Sequence, residues 1–419
     1  MHLSYLAVGD ELLDGRVREA NLATLGDHAR RLGLSVDDAS VIGDTNQTIV
    51  DALEAASRRA DILVVSGGLG PTQDDITRYA ASQWASSPIE LDEQHLSNLR
   101  DQFEARGFTF TENNRRQCEF PRDADILASD VGTAAGFRLV HNNCQAFFLP
   151  GVPSEFRWHV DRFVIPRLQE VSDGGETPTE SLTFLGPGES GLENRLQSVL
   201  EKGRHEGARI SFLANSPLVT IEVSATDRSV VDETIAGIRE RSGPWVIASN
   251  RESPAEALAR RLESAGATVT AAESCTGGWI GKLLTDAPGA SDWFEYGYVT
   301  YANNAKIAML GVSESTLEHH GAVSAEVVCA MADGARSRAD ADWALAVSGI
   351  AGPSGGTDAK PVGRVHFGLA GTDELWHHRA TFPDRGRAYV RRTSALTAIA
   401  GLIWRLDDNL DAHDWSRIH

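Results

Sequence analysis

Asp61-Ile62-Leu63-Val64-Val65-Ser66-Gly67-Gly68-Leu69-Gly70-Pro71-Thr72-Gln73-Asp74-Asp75-Ile76-Thr77 runs an apolar strand pattern into a glycine-rich turn, followed by an acidic pair. Buried parallel strands read this way: a short apolar run that stops at glycine. Leu3–Val8 repeats the pattern and stops at Gly9-Asp10-Glu11. Helical periodicities lie between the two runs, around Asn21–Leu32 and Gln47–Arg58, with a strand near Ser35–Ile42. Strands alternating with helices of this length predict an α/β fold with a doubly wound sheet. Both glycine turns then fall at the carboxyl edge of that sheet, where open α/β folds bind ligands.

Outward from this unit, Asp173-Gly-Gly-Glu-Thr-Pro interrupts the pattern as a linker would. A shorter stretch follows: strand Ser181–Leu185, helix Ser190–Glu201, strands Arg209–Phe212 and Leu218–Ala225, helix Val230–Arg241, and a last strand. A second break, Ser249–Pro254, opens another helix, with Ser253 as cap, Pro254 in the first turn and Glu256 three residues after the cap. The remainder is mixed α/β and ends in a long helix from Arg385. The expected units are therefore residues 1–170, 171–250 and 251–410, as the length of 419 residues allows.

Composition removes several function classes. The net charge is −20, distributed as −10, −5 and −5 over residues 1–170, 171–250 and 251–419. No part is basic, which argues against nonspecific binding to nucleic acid. No stretch approaches the ~20 apolar residues of a membrane helix, and Met1–Gly9 carries no charged leader. The four cysteines (118, 144, 275 and 329) have no metal-type spacing and read as reduced thiols of a cytoplasmic protein. Exposed sheet edges lead us to expect a homo-oligomer, a dimer.

In the first unit, Gly67, Gly68 and Gly70 let the backbone approach a phosphate, and Val131–Gly136 and Pro150–Glu155 complete a pocket rim. Acids beside such a loop suit Mg²⁺, which takes one or two carboxylates plus substrate oxygens. Complementing a helix dipole accounts for an acidic pair equally well.

The sharpest feature of the last unit is Ala272-Glu273-Ser274-Cys275-Thr276-Gly277-Gly278, between a strand at Thr268–Ala272 and a helix at Trp279–Thr285. A hydroxyl at such a turn is exposed, and amides at a helix start can stabilise an oxyanion or a phosphate. Tyr301 and Lys306 lie five residues apart at another strand-to-helix junction. The strand Trp343–Val347 runs into the Gly-rich stretch Ser348–Thr357, which includes Gly352, Gly355 and Gly356, and Arg385, Arg387 and Arg391 are grouped near the last helix start. Serine needs a base, and no histidine is an obvious one: His319-His320 reads as surface and His366 as a core or edge imidazole. A partly buried lysine is the alternative. Cys275 is a competing nucleophile, although free cysteine is often a small buried hydrophobe.

These stretches, Ala272–Gly278, Tyr301–Lys306 and Ser348–Val362, resemble the C-terminal domain of the CinA family, which includes nicotinamide-nucleotide amidohydrolases. The resemblance implies hydrolysis of nicotinamide mononucleotide (NMN) to nicotinate mononucleotide and ammonia, without a metal. It casts Ser274 as nucleophile, Lys306 as general base, Tyr301 as proton relay, and Ser348 as a holder of the carboxamide or acyl group. Glu273, Thr276, Gly277, Gly278, Gly352, Gly355 and Gly356 would bind substrate, with the Thr276, Gly277 and Gly278 groups forming the oxyanion site. One of the three arginines would meet the phosphate.

The first unit resembles the molybdopterin-binding (MoaB/MogA-like) superfamily, a three-layer fold, as it stands in full-length CinA proteins. Some relatives cleave ADP-ribose to AMP and ribose 5-phosphate. That implies a divalent metal (Mg²⁺, Mn²⁺ or Co²⁺) and potassium, with Asp10, Glu11, Asp74 and Asp75 at the metal and Gly67, Gly68, Gly70 and Thr72 at phosphate. Glu19-Ala20-Asn21 and Ala135 depart from the usual Asp-Thr-Asn and Pro. The middle unit resembles a small KH-like α+β module without a GxxG clamp. The alternative reading is a pterin- or nucleotide-binding adaptor in DNA uptake or repair.

Overall fold

A computed structural model describes residues 1–171 and 177–418. The linker expected at Asp173–Glu176 lies outside the described residues. The chain divides into two compact units, Met1–Thr177 and Pro178–His419.

The first unit is built on a six-stranded sheet in the order 38–42, 3–8, 62–66, 144–149, 136–141, 125–127. Its first four strands are parallel and the last two antiparallel. Alternate residues of one strand enter different cores. Leu6, Val8, Leu63, Val65 and Phe148 face the helices Asn46–Ser57 and Thr77–Ala85. Tyr5, Ala7, Val64, Phe147 and Leu149 face Asn21–Arg31 and Pro153–His159. A strand covered on both faces is near-continuously apolar, which is why Leu3–Val8, interrupted only by Ser4, and Ile62–Ser66, polar only at its last residue, read as apolar runs. Ala135 is buried in the first of these cores. Glu19 accepts hydrogen bonds from the Asn21 and Leu22 amides, so the glutamate caps this helix in place of an aspartate.

The second unit contains two sheets. Four antiparallel strands in the order 209–215, 218–224, 179–185, 246–249 pack on the helices Glu189–His205 and Arg228–Ser242. The larger sheet has the order 297–299, 269–273, 343–349, 364–370, 375–381, 416–418. Helices Pro254–Ala265, Trp279–Thr285 and Arg387–Leu406 cover one face, and Asn303–Leu310 and Ala325–Ala339 the other. The Ser253 capping box forms as its spacing predicts, with Ser253 N–H donating to Glu256 at 2.7 Å. The break at 249–254 is fastened rather than loose: Arg251 Nε donates to Glu222 at 3.0 Å.

Among the boundaries that differ from the sequence reading, two bear on the site. The strand expected at Thr268–Ala272 is Val269–Glu273, so Glu273 ends the strand. The last helix begins at Arg387 instead of Arg385, because Gly386, with φ 91°, holds a left-handed turn that a helix cannot include.

Candidate active site

Strand 269–273 delivers Ser274 to the carboxyl end of the larger sheet, and the Ser274 amide donates to Val347 O at 3.0 Å. Helix Asn303–Leu310 brings in Lys306, only 1% exposed. Its Nζ lies 3.1 Å from Ser274 Oγ, 2.8 Å from Thr300 O and 3.3 Å from Tyr301 O. Among the described residues no carboxylate pairs with it. Burial therefore pushes the Lys306 pKa below its ordinary 10.5. A neutral amine here can donate to the two carbonyls while accepting the serine proton.

Cys275 is buried beside this pair, and burial drives its thiol up to about 12. It stays protonated at neutral pH, which leaves Ser274 as the candidate nucleophile.

Several predicted roles change. The Glu273 carboxylate, 2% exposed, accepts hydrogen bonds from the amides of Gly278 and Ile280, each at 3.0 Å, and of Gly281 at 2.9 Å. It is the anionic cap of helix Trp279–Thr285 and is not free to contact substrate. The same bonds occupy the Gly278 amide, and the Gly277 amide donates to Ser274 O at 3.2 Å. Neither glycine is left to serve an oxyanion. The Cys275 and Thr276 amides have no described backbone acceptor, and the buried Thr276 hydroxyl has no partner.

Tyr301 is exposed. Its backbone carbonyl, not its phenol, meets Lys306, and the phenol accepts from Arg387 Nη2 at 2.8 Å. A relay through the phenol is therefore not made. Ser348, 1% exposed, donates its hydroxyl proton to Ala322 O at 2.6 Å and so fastens the neighbouring loop to its strand.

The three arginines diverge. Arg391 is spent on the 274–278 turn, with Nη2 donating to Thr276 O at 2.6 Å and Nε to Cys275 O at 3.1 Å. Arg387 reaches Gly352 O at 2.9 Å as well as Tyr301. Arg385 faces elsewhere, 3.4 Å from Ser216 Oγ. Gly355 and Gly356 lie in the exposed part of the 350–363 loop.

In the first unit, the carboxyl edge of the sheet holds a cavity of about 510 Å³ lined by Glu11, Asn21, Gly67, Gly68, Gly70, Asp75 and Glu155, among others. Gly67 is required there: its φ is 106° and a Cβ would stand 2.4 Å from Val8 O. Thr77 Oγ1 donates to Gly67 O at 2.9 Å, and the buried Arg78 to Leu69 O at 2.8 Å. Sequence reasoning passed over Arg78, since nothing local marks an arginine as buried.

The predicted metal quartet does not converge. Among the described residues, no three His, Cys, Asp or Glu side chains stand where they could hold a metal together. Thr72 draws both neighbouring acids to itself, its hydroxyl donating to Asp74 and, at 2.6 Å, to Asp75. Asp10 turns instead toward Gly43 and the Asp44 amide. Thr72, Asp10 and Asp74 do not line the cavity, whereas Glu11 and Asp75 do.

A profile described as "CinA C-terminal domain" matches residues 251–406, and one described as "Probable molybdopterin binding domain" matches residues 4–170. Fold and profiles together define an α/β protein that joins a molybdopterin-binding-type sheet to a CinA C-terminal domain. The chain belongs to the CinA-like family. It is 41% identical to the CinA-like protein of Geobacter sulfurreducens, over 97% of this chain and 99% of that one. The CinA-like protein of Geotalea daltonii is 41% identical over 96% and 98%. Among solved structures, the competence/damage inducible protein CihA from Agrobacterium tumefaciens is 43% identical, spanning 37% of this chain and 97% of that one with TM-score 0.35. No helix among the described residues is long and apolar enough to cross a membrane.

Proposed function

We propose that the C-terminal domain hydrolyses the carboxamide of NMN, and the contact that carries this reading is Lys306 Nζ at 3.1 Å from Ser274 Oγ in a buried site. The neutral amine takes the serine proton as Oγ attacks the carboxamide carbon. The Cys275 and Thr276 amides face the developing oxyanion, with the Thr276 hydroxyl as a further donor. Lys306 then returns the proton to the leaving nitrogen, and ammonia departs. Water, deprotonated by the same amine, releases nicotinate mononucleotide and restores Ser274. Arg387, the arginine adjoining both Tyr301 and the Gly352 loop, receives the phosphate. The test is ammonia release from NMN by the full chain in the presence of chelator. It should vanish in Ser274→Ala and in Lys306→Ala; full activity in both variants would sink the mechanism.

The cavity of the first unit favours a second reaction there, cleavage of ADP-ribose to AMP and ribose 5-phosphate. Glu11 and Asp75, which line the cavity, are the carboxylates that would hold a Mg²⁺ ion, which takes one or two acids with substrate oxygens completing its shell. Such an ion would neutralise charge on the pyrophosphate, while the Gly67–Gly70 backbone holds its position. If added Mg²⁺, Mn²⁺ or Co²⁺ with potassium gives no turnover, the cavity is left as a pterin or nucleotide binding site, the adaptor reading.

A further inference from the structure

Helix Arg387–Leu406 has two working faces. Arg391 turns to the 274–278 turn and Arg387 to Gly352 and Tyr301, but Tyr389, Thr393 and Trp404 line a separate cavity of about 480 Å³. Its opposite wall comes from the four-stranded module of the same unit, through Ser216 and Trp245. Neither Ser274 nor Lys306 belongs to it, and its volume falls within the ~300–1,000 Å³ of small-molecule sites.

Arg385 stands at this cavity. Its guanidinium lies 5.4 Å from the Tyr389 ring centroid and 3.4 Å from Ser216 Oγ, and no described carboxylate is within ion-pair distance. Most of its five donors are open. Besides Tyr389, the other titratable groups on the lining are His378, His413 and Asp414. Each imidazole is bonded to a backbone carbonyl, Asp414 O and Pro244 O respectively, and burial lowers the pKa of both, favouring their neutral forms. Asp414 is thus the single acid set against Arg385. Two deeply buried polar atoms on lining residues, Thr393 Oγ1 and Trp404 Nε1, have no hydrogen-bond partner. Such orphans are costly unless something satisfies them.

We propose that this cavity is a second ligand site, distinct from the Ser274 centre, for a planar heteroaromatic anion of mononucleotide size. The ring would lie among Tyr389, Trp245 and Trp404, and the anionic group would meet Arg385. Aromatic walls with one arginine suit a base and a phosphate better than an aliphatic ligand.

The test titrates the full chain with AMP, read by tryptophan fluorescence and by equilibrium dialysis, with adenosine as the uncharged control. We expect a saturable site, besides any AMP held as product in the first-unit cavity, that adenosine fills at least tenfold more weakly. Arg385→Gln and Ala412→Trp, the latter narrowing the mouth from an exposed position, should each weaken AMP at least tenfold with wild-type melting curves retained. Ser274→Ala should bind AMP unchanged, so failure of this site and failure of the amidase reading are separate results. Absence of saturable AMP binding at millimolar concentration, or binding unaltered in both cavity variants, would overturn the proposal.

Discussion

Lys306 is buried with two backbone carbonyls and one hydroxyl for company, and this makes its proton a pH-dependent quantity. Burial lowers its pKa below 10.5, so between the folded value and 10.5 the unfolded chain binds more protons than the folded one. Stability therefore rises with pH through that window, and below the folded pKa the penalty of charging the buried amine is complete. Wild type measured against Lys306→Met should gain stability as pH climbs toward 10.5 and level off beyond it, which paired urea titrations across pH would reveal. Amidase activity should rise over pH with a midpoint below 10.5, and Lys306→Ala should lose about 10²–10⁴ in rate. A rate that ignores pH in this range would remove Lys306 as the base. Alkylating the native protein at pH 8 should leave turnover intact, since the Cys275 thiol stays protonated up to about 12.

At the scale of elements, the turn between strand 269–273 and helix Trp279–Thr285 is held by one carboxylate. Glu273→Ala strands three amides, so we expect a loss of about 3 kcal/mol in denaturant unfolding and at least a tenfold fall in amidase rate. Gly67→Ala should cost the first unit about 2 kcal/mol or more, because its Cβ would meet Val8 O at 2.4 Å. The same scale shows what the sequence could and could not disclose. Strands 3–8 and 62–66, helices 21–31 and 46–57 and the Ser253 cap were legible because each depends on periodicity or on neighbours within four residues. The Ser274–Lys306 pair was legible as a motif, although its contact spans 32 positions. Glu273's role was hidden because it depends on where the strand ends, one residue later than expected. The fates of Arg385, Arg387 and Arg391 likewise turn on where the helix begins. The acids at 10, 11, 74 and 75 share an edge in sequence terms, but the Thr72 hydroxyl decides where two of them point.

At the scale of the whole molecule, Met1–Thr177 and Pro178–His419 each enclose their own cores. The fragment 178–419 should fold alone and retain the NMN kcat/KM of the full chain within about twofold; its failure to fold, tested by circular dichroism, would deny the two units independence. The chain also carries only four lysines, at 202, 282, 306 and 360, against 35 arginines. Three of their ammonium groups lie toward the surface, and the fourth is sealed at 1% exposure. An amine-acylating reagent applied to the native protein would thus tag Lys202, Lys282 and Lys360 while sparing the residue assigned to proton transfer. Mass spectrometry would find the fourth lysine tag, distinct from any on the Met1 amine, only after unfolding, giving a built-in count of intact molecules and a way to tether the protein to a support away from Lys306.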